Sequence, residues 1–83
     1  MINIKKSVMK IKLQYEITFK LLHPNYRKIR YGLDSILNVT RSTVWYMLRK
    51  NEINGRLTCE AVLQYLETEL NMARHQLIEI VED

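Results

Sequence analysis

Between Lys10 and Leu21 the chain alternates strictly. Ile11, Leu13, Tyr15, Ile17, Phe19 and Leu21 are apolar, and Lys10, Lys12, Gln14, Glu16, Thr18 and Lys20 are polar. This period of two, rich in β-branched and aromatic types, predicts a strand with one buried face. A helix competes for the same residues, because Val8, Ile11, Tyr15, Phe19 and Leu22 also fall on a helical stripe. That stripe leaves Leu13, Ile17 and Leu21 on other faces, so the strand accounts for more of the pattern. A lone strand is not stable, and no second strand of similar length shows in the sequence. The pattern therefore points to the same strand of a second subunit as its partner.

His23-Pro24-Asn25 ends that element, and Pro24 suits the first turn of a new helix. Ile29, Leu33, Ile36 and Leu37 follow at helical spacing, with Gly32 as a local weak point. Asn38-Val39-Thr40 makes a short break, and a further helix is expected from about Arg41 to Asn51. Asn54-Gly55 signals a turn. Thr58 then caps a last helix, with Glu60 in its first turn, where the helix dipole favours a negative charge.

That last helix has the most regular pattern. Cys59, Leu63, Leu66, Leu70, Ala73, Leu77 and Ile80 are spaced alternately four and three apart, which is a heptad seam. No Pro or Gly interrupts it, so one continuous helix is expected over residues 58–82, about 24 residues and roughly 36 Å long. A second copy is the simplest partner for its far end. A homodimer is thus expected through Leu63, Leu66, Leu70, Ala73, Leu77 and Ile80. The expected fold is mainly α: an N-terminal β-strand, a helix-turn-helix and a long C-terminal heptad helix. Residues 1–57 would form a basic strand and helix-turn-helix region. Residues 58–83 would form the dimerisation helix of one compact unit.

Charge sharpens the division. Residues 1–56 carry twelve Lys and Arg against Glu16, Asp34 and Glu52, a surplus of nine. Residues 57–83 carry Arg74 against six acidic residues, a deficit of five, and the two halves leave the net +4. A basic half suits a polyanion, with the acidic half facing away from it. At 83 residues the chain makes one domain. A core this small yields only a few kcal/mol, which also favours association. Cys59, the single cysteine, cannot form an internal disulfide. A small buried apolar role and a reducing, cytoplasmic setting are expected for it. No apolar run approaches the roughly 20 residues that span a bilayer, and no signal-peptide pattern appears, so no membrane association is expected.

Catalytic signals are sparse. His23 and His75 stand apart, no Cys/His spacing suits zinc, and no glycine-rich loop suits a phosphate. Glu67 and Glu69, two apart on a helix, point to different faces. No enzyme activity, metal or cofactor is expected. The stretch "LNVTRSTVWYMLRK", Leu37–Lys50, carries more. Leu33 and Leu37 would form the inward face of one short helix. Val44, Met47 and Leu48 would form that of the next. This leaves Thr40, Arg41, Ser42, Trp45, Tyr46 and Arg49 outward. Hydroxyls and helix N-terminal amides hold phosphates, and Arg reads guanine bidentately. Lys28, Arg30, Lys50 and Arg56 flank the unit and would neutralise further phosphates.

Here the residues resemble a family. "VTRSTVWYMLRKNEI" followed by "RLTCEAVLQYLETEL" looks like helix-turn-helix regulators of phages and plasmids, of lambda-repressor/Cro-like or excisionase type, over about residues 30–70. Asp34 stands where such motifs usually place alanine, and Asn38 where they usually place glycine. The resemblance implies that Thr40, Arg41, Ser42, Trp45, Tyr46 and Arg49 face DNA. It also implies a bacterial or phage-infected cell. A second resemblance competes: a strand, then a helix opened by Pro24, then "TRSTVWYMLRK" looks like a ribbon-helix-helix repressor. It implies that Lys10, Lys12, Gln14, Glu16, Thr18 and Lys20 read bases from a paired strand, with Trp45 in a dimer core. Both readings lead to a sequence-specific, dimeric regulator of transcription that binds double-stranded DNA. The alternative is an adaptor or inhibitor that captures a protein partner through the heptad helix and binds no DNA.

Overall fold

The computed structural model describes residues 9–82, so Lys5, Lys6, Val8 and Asp83 lie outside the described residues. Within them the fold is mainly helical with one small antiparallel sheet. The order is β1 (Ile11–Leu13), α1 (Tyr15–Leu22), α2 (Arg27–Leu37), α3 (Arg41–Lys50), α4 (Glu60–Leu70), α5 (Arg74–Leu77) and β2 (Ile78–Ile80). Short 3-10 turns at Pro24–Tyr26 and Arg56–Thr58 lead into α2 and α4.

The alternating stretch divides in two, against the single strand expected over residues 10–21. Only Ile11–Leu13 is extended, and the chain is helical from Tyr15. The reason lies in the pattern itself. Leu13, Ile17 and Leu21, all buried, are four apart, and positions four apart share a face in both a strand and a helix. Thr18 shows which period the chain follows. A strand would send it outward, but it is buried, and its hydroxyl donates to the Tyr15 carbonyl at 2.8 Å, one helical turn back. The rival helical stripe is not the buried one either: Tyr15 and Phe19 are exposed.

The expected long heptad helix also breaks. α4 ends at Leu70, where Asn71 takes a left-handed conformation (φ 52°) and donates its N–H to the Glu67 carbonyl. After α5, the β-branched run Ile78-Glu79-Ile80 is extended and pairs with β1, Ile11 opposite Ile80 and Leu13 opposite Ile78. The partner of the N-terminal strand is therefore in the same chain. Leu63, Leu66 and Leu77 of the seam are buried in the chain's own core. Leu70 is half-buried, and Ala73 and Ile80 are exposed. Arg74 binds Glu60 through both terminal nitrogens (2.8 and 2.7 Å) and Glu67 through Nε (3.0 Å), folding α5 back on α4.

One core, running from Leu13 to Leu77, joins the basic and acidic parts. Its second edge is closed by asparagines. Asn51 bonds both the N–H and the carbonyl of Leu13, at 3.2 and 2.8 Å, and Asn54 does the same for Ile11 at 2.9 and 2.7 Å. These bonds occupy the outer side of β1 as a neighbouring strand would. At Gly32 a side chain of α4, Tyr65, packs against the backbone of α2. A Cβ there would lie 1.9 Å from the Tyr65 hydroxyl, which donates to the Ile29 carbonyl at 3.0 Å. The glycine thus admits Tyr65 rather than merely weakening α2. Two smaller expectations also fail. Cys59 is exposed, not buried, at the N-cap of α4. Thr58 does not cap α4: its hydroxyl donates to Gly55.

Candidate nucleic-acid interface

α2 and α3 are joined by Asn38, Val39 and Thr40. Leu33 and Leu37 on α2 meet Val44 and Leu48 on α3 in the core, with Val39 and Met47 half-buried beside them. Asn38 ends α2 in the left-handed region (φ 56°), and its N–H reaches the Asp34 and Ser35 carbonyls. Asparagine tolerates that conformation better than other non-glycine residues. It therefore fills the turn position that glycine usually takes. Thr40 then caps α3. Its hydroxyl oxygen accepts from the Thr43 N–H at 3.3 Å and lies 3.0 Å from the Thr43 hydroxyl and 3.3 Å from that of Ser42.

With its inward face fixed, α3 turns Arg41, Ser42, Trp45, Tyr46 and Arg49 to solvent on one side, with Thr40 at its start. Trp45 is 41% exposed, on the surface and not in a core. Lys28, Lys50 and Arg56 are exposed and Arg30 is half-buried. The cations differ in what holds them. Arg41 stacks over Tyr31, 4.0 Å from the ring centre, with Nε 3.7 Å from Asp34 Oδ2. Asp34 thus meets a partner across the turn, while its buried Oδ1 has no hydrogen-bond partner among the described residues. Lys50 lies over Tyr46 at 5.4 Å. Arg30 donates to the carbonyls of Leu21 (2.6 Å) and His23 (2.9 Å) and lies over Trp45 at 5.4 Å. Arg56 donates to the Leu37 carbonyl at 2.6 Å. These last two arginines satisfy helix C-termini and brace the unit.

The residues assigned to a base-reading strand are not brought together. Lys12 is on β1 and Gln14 donates to the Ile78 carbonyl, whereas Glu16, buried Thr18 and Lys20 belong to α1. Sequence reasoning missed Tyr31, although Tyr31 and Asp34 lie three apart on α2 and so share a face. It also missed the exposed Tyr15 and Phe19 on α1.

Apart from Asp34, which meets Arg41, the acidic residues are concentrated in the C-terminal part. α3 carries none, and α4 carries Glu60, Glu67 and Glu69. Hydrogen bonds from Arg74 and Gln64 hold the Glu60 carboxyl below its usual range, and Glu60 and Glu67 raise Arg74. Burial, with help from Glu69, pushes the Tyr65 hydroxyl up. Both histidines are exposed, and among the described residues no cluster of three or more His, Cys, Asp or Glu suits a metal ion. No helix among them is long and apolar enough to cross a membrane. No protein-family model, curated protein or solved structure matches the chain.

Proposed function

We propose that the protein is a sequence-specific double-stranded DNA-binding regulator in which α3 enters the major groove. The observation that carries this reading is the solvent face of α3. Arg41, Ser42, Trp45, Tyr46 and Arg49 project from one side of a capped helix whose other side is fixed in the core. With its side chains a helix is about 10–12 Å across, which matches a major groove about 12 Å wide, and the ten residues of α3 run about 15 Å along it. Its N-terminal hydroxyls and amides would meet phosphates. Lys28, Arg49 and Lys50 would add to the salt-dependent affinity. The phage and plasmid regulators that the sequence resembles place their second helix in this way.

Arg41 is the residue most able to specify sequence, and a base contact would draw it away from Tyr31 and Asp34 on α2. Leaving Tyr31 costs about 0.5–1 kcal/mol at an exposed site, and leaving Asp34, whose side chain is only 16% exposed, costs more than parting an exposed pair. A bidentate guanine contact contributes about 1–3 kcal/mol of discrimination. With 72% of its side chain exposed, Arg41 can turn outward without disturbing the core.

The expected dimer seam is not part of this proposal, because Leu63, Leu66 and Leu77 are in the core. Capture of a protein partner remains the second reading of the sequence, with only Leu70, Ala73 and Ile80 of that seam outside the buried core.

The test is anisotropy with random-sequence duplex DNA at about 50 and 200 mM salt. Wild type should bind and weaken steeply with salt, and Arg41→Ala should bind several-fold more weakly. No binding by wild type at the lower salt would sink the proposal.

A further inference from the structure

We propose that the cleft between α1 and the C-terminal end of α3 is a second nucleic-acid site, one that takes the unpaired bases of a single strand. It rests on the DNA-binding reading only in sharing Arg49 and Lys50 with the neighbouring face of α3.

Tyr15 and Phe19 are 71% and 65% exposed, although burying such rings is normally among the largest contributions to a small core. They lie one helical turn apart on the outer side of α1, with Ile17 and Leu21 directed inward. Their ring centres are 6.1 Å apart and their planes differ by 22°. Two near-parallel exposed rings form a ledge on which a further flat ring can stack. The cleft beside them, about 540 Å³, is lined also by Lys12, Arg49 and Lys50, and by no carboxylate. Asn51 fixes the backbone next to Lys12 at Leu13, and Glu79 stands opposite Lys12 in the sheet. Among the described residues, no carboxylate forms a salt bridge with Lys12, Arg49 or Lys50.

Charge and shape select the occupant. Stacked aromatics framed by cations fit a strand whose bases are flat and whose backbone is anionic. A second copy of this chain would bring Lys12, Arg49 and Lys50 against their own images. An intact duplex offers no open base face to Tyr15 and Phe19, since its bases are already stacked. The cleft on the other side of the same ledge, lined by Glu16, Lys20, His23 and Tyr26, has a carboxylate and lacks this bias.

The experiment is anisotropy of a labelled oligothymidylate of about 12 nucleotides, run beside a random-sequence duplex. Wild type, Tyr15→Phe, the double variant Tyr15→Ala/Phe19→Ala, and Arg41→Ala are compared after circular dichroism has confirmed that each is folded. Wild type and Tyr15→Phe should bind the single strand, and the double alanine variant should bind it about tenfold or more weakly. Its duplex affinity should change by less than about twofold, whereas Arg41→Ala should lose duplex affinity and keep the single strand. A double alanine variant that binds the oligothymidylate like wild type would overturn the site. So would a wild type that binds duplex but not the single strand, which leaves the reading of α3 intact. Binding to neither would overturn both. If the double variant instead converts a dimer to a monomer at unchanged single-strand affinity, the ledge is an interface between copies and the proposal is wrong.

Discussion

At φ 47°, Asn51 ends α3 in the left-handed region while its side-chain amide bonds both backbone groups of Leu13. Few residue types combine the two roles. Glycine takes the conformation but has no amide, and alanine has neither property. Each bond contributes about 0.5–1.5 kcal/mol net, and the left-handed conformation costs alanine about 1–2 kcal/mol. Asn51→Gly is therefore expected to destabilise by about 1–3 kcal/mol and Asn51→Ala by more, measured by urea unfolding. Equal stability of both variants with wild type would show that the amide does not hold β1. The same scale separates what could be read in the sequence from what could not. The outward set on α3 was legible, because helical spacing alone decides which residues share a face with Val44 and Leu48. The roles of Arg30 and Arg56 were not. They reach carbonyls nine and 19 residues away, and such bonds leave no local pattern. Asp34 and Asn38 were visible as departures from a resemblance. What accommodates them, Arg41 across the turn and a left-handed φ, is set by how α2 and α3 pack and not by local pattern.

Two elements changed type between pattern and structure, for a shared reason. Spacings of four satisfy a strand and a helix alike, and spacings of three and four satisfy a coiled coil and a globular core alike. Leu13, Ile17 and Leu21 illustrate the first case, and Leu63, Leu66 and Leu77 the second. In each, the tertiary partner decided. β1 needed a strand, and Ile78-Glu79-Ile80, β-branched at two of three positions, supplied one from the tail of the supposed helix. The seam can be tested element by element. Leu66, fully buried, should cost about 2–5 kcal/mol when changed to Ala. Ile80, 58% exposed, should cost under about 1 kcal/mol. A coiled-coil dimer would instead lose association at both positions, which sedimentation of the two variants would reveal.

Over the whole molecule, the core ties a basic N-terminal portion to an acidic α4, and on the face of α3 it is Arg41 that meets a carboxylate, that of Asp34. Arg74, the only cation after Arg56, is spent on Glu60 and Glu67 within its own portion. The α4 carboxylates Glu60 and Glu67 are thus met by Arg74 and not by the cations of α3. The chain holds a single tryptophan, Trp45, which sits on the proposed DNA face beside Arg30. Its fluorescence reports on that face and on no other. The deciding measurement is a titration of Trp45 emission with duplex DNA at low salt. A saturable change in intensity or wavelength, reversed by added salt, is the predicted result. Emission that stays constant while excess duplex is added would contradict the proposal that α3 is the element that meets DNA.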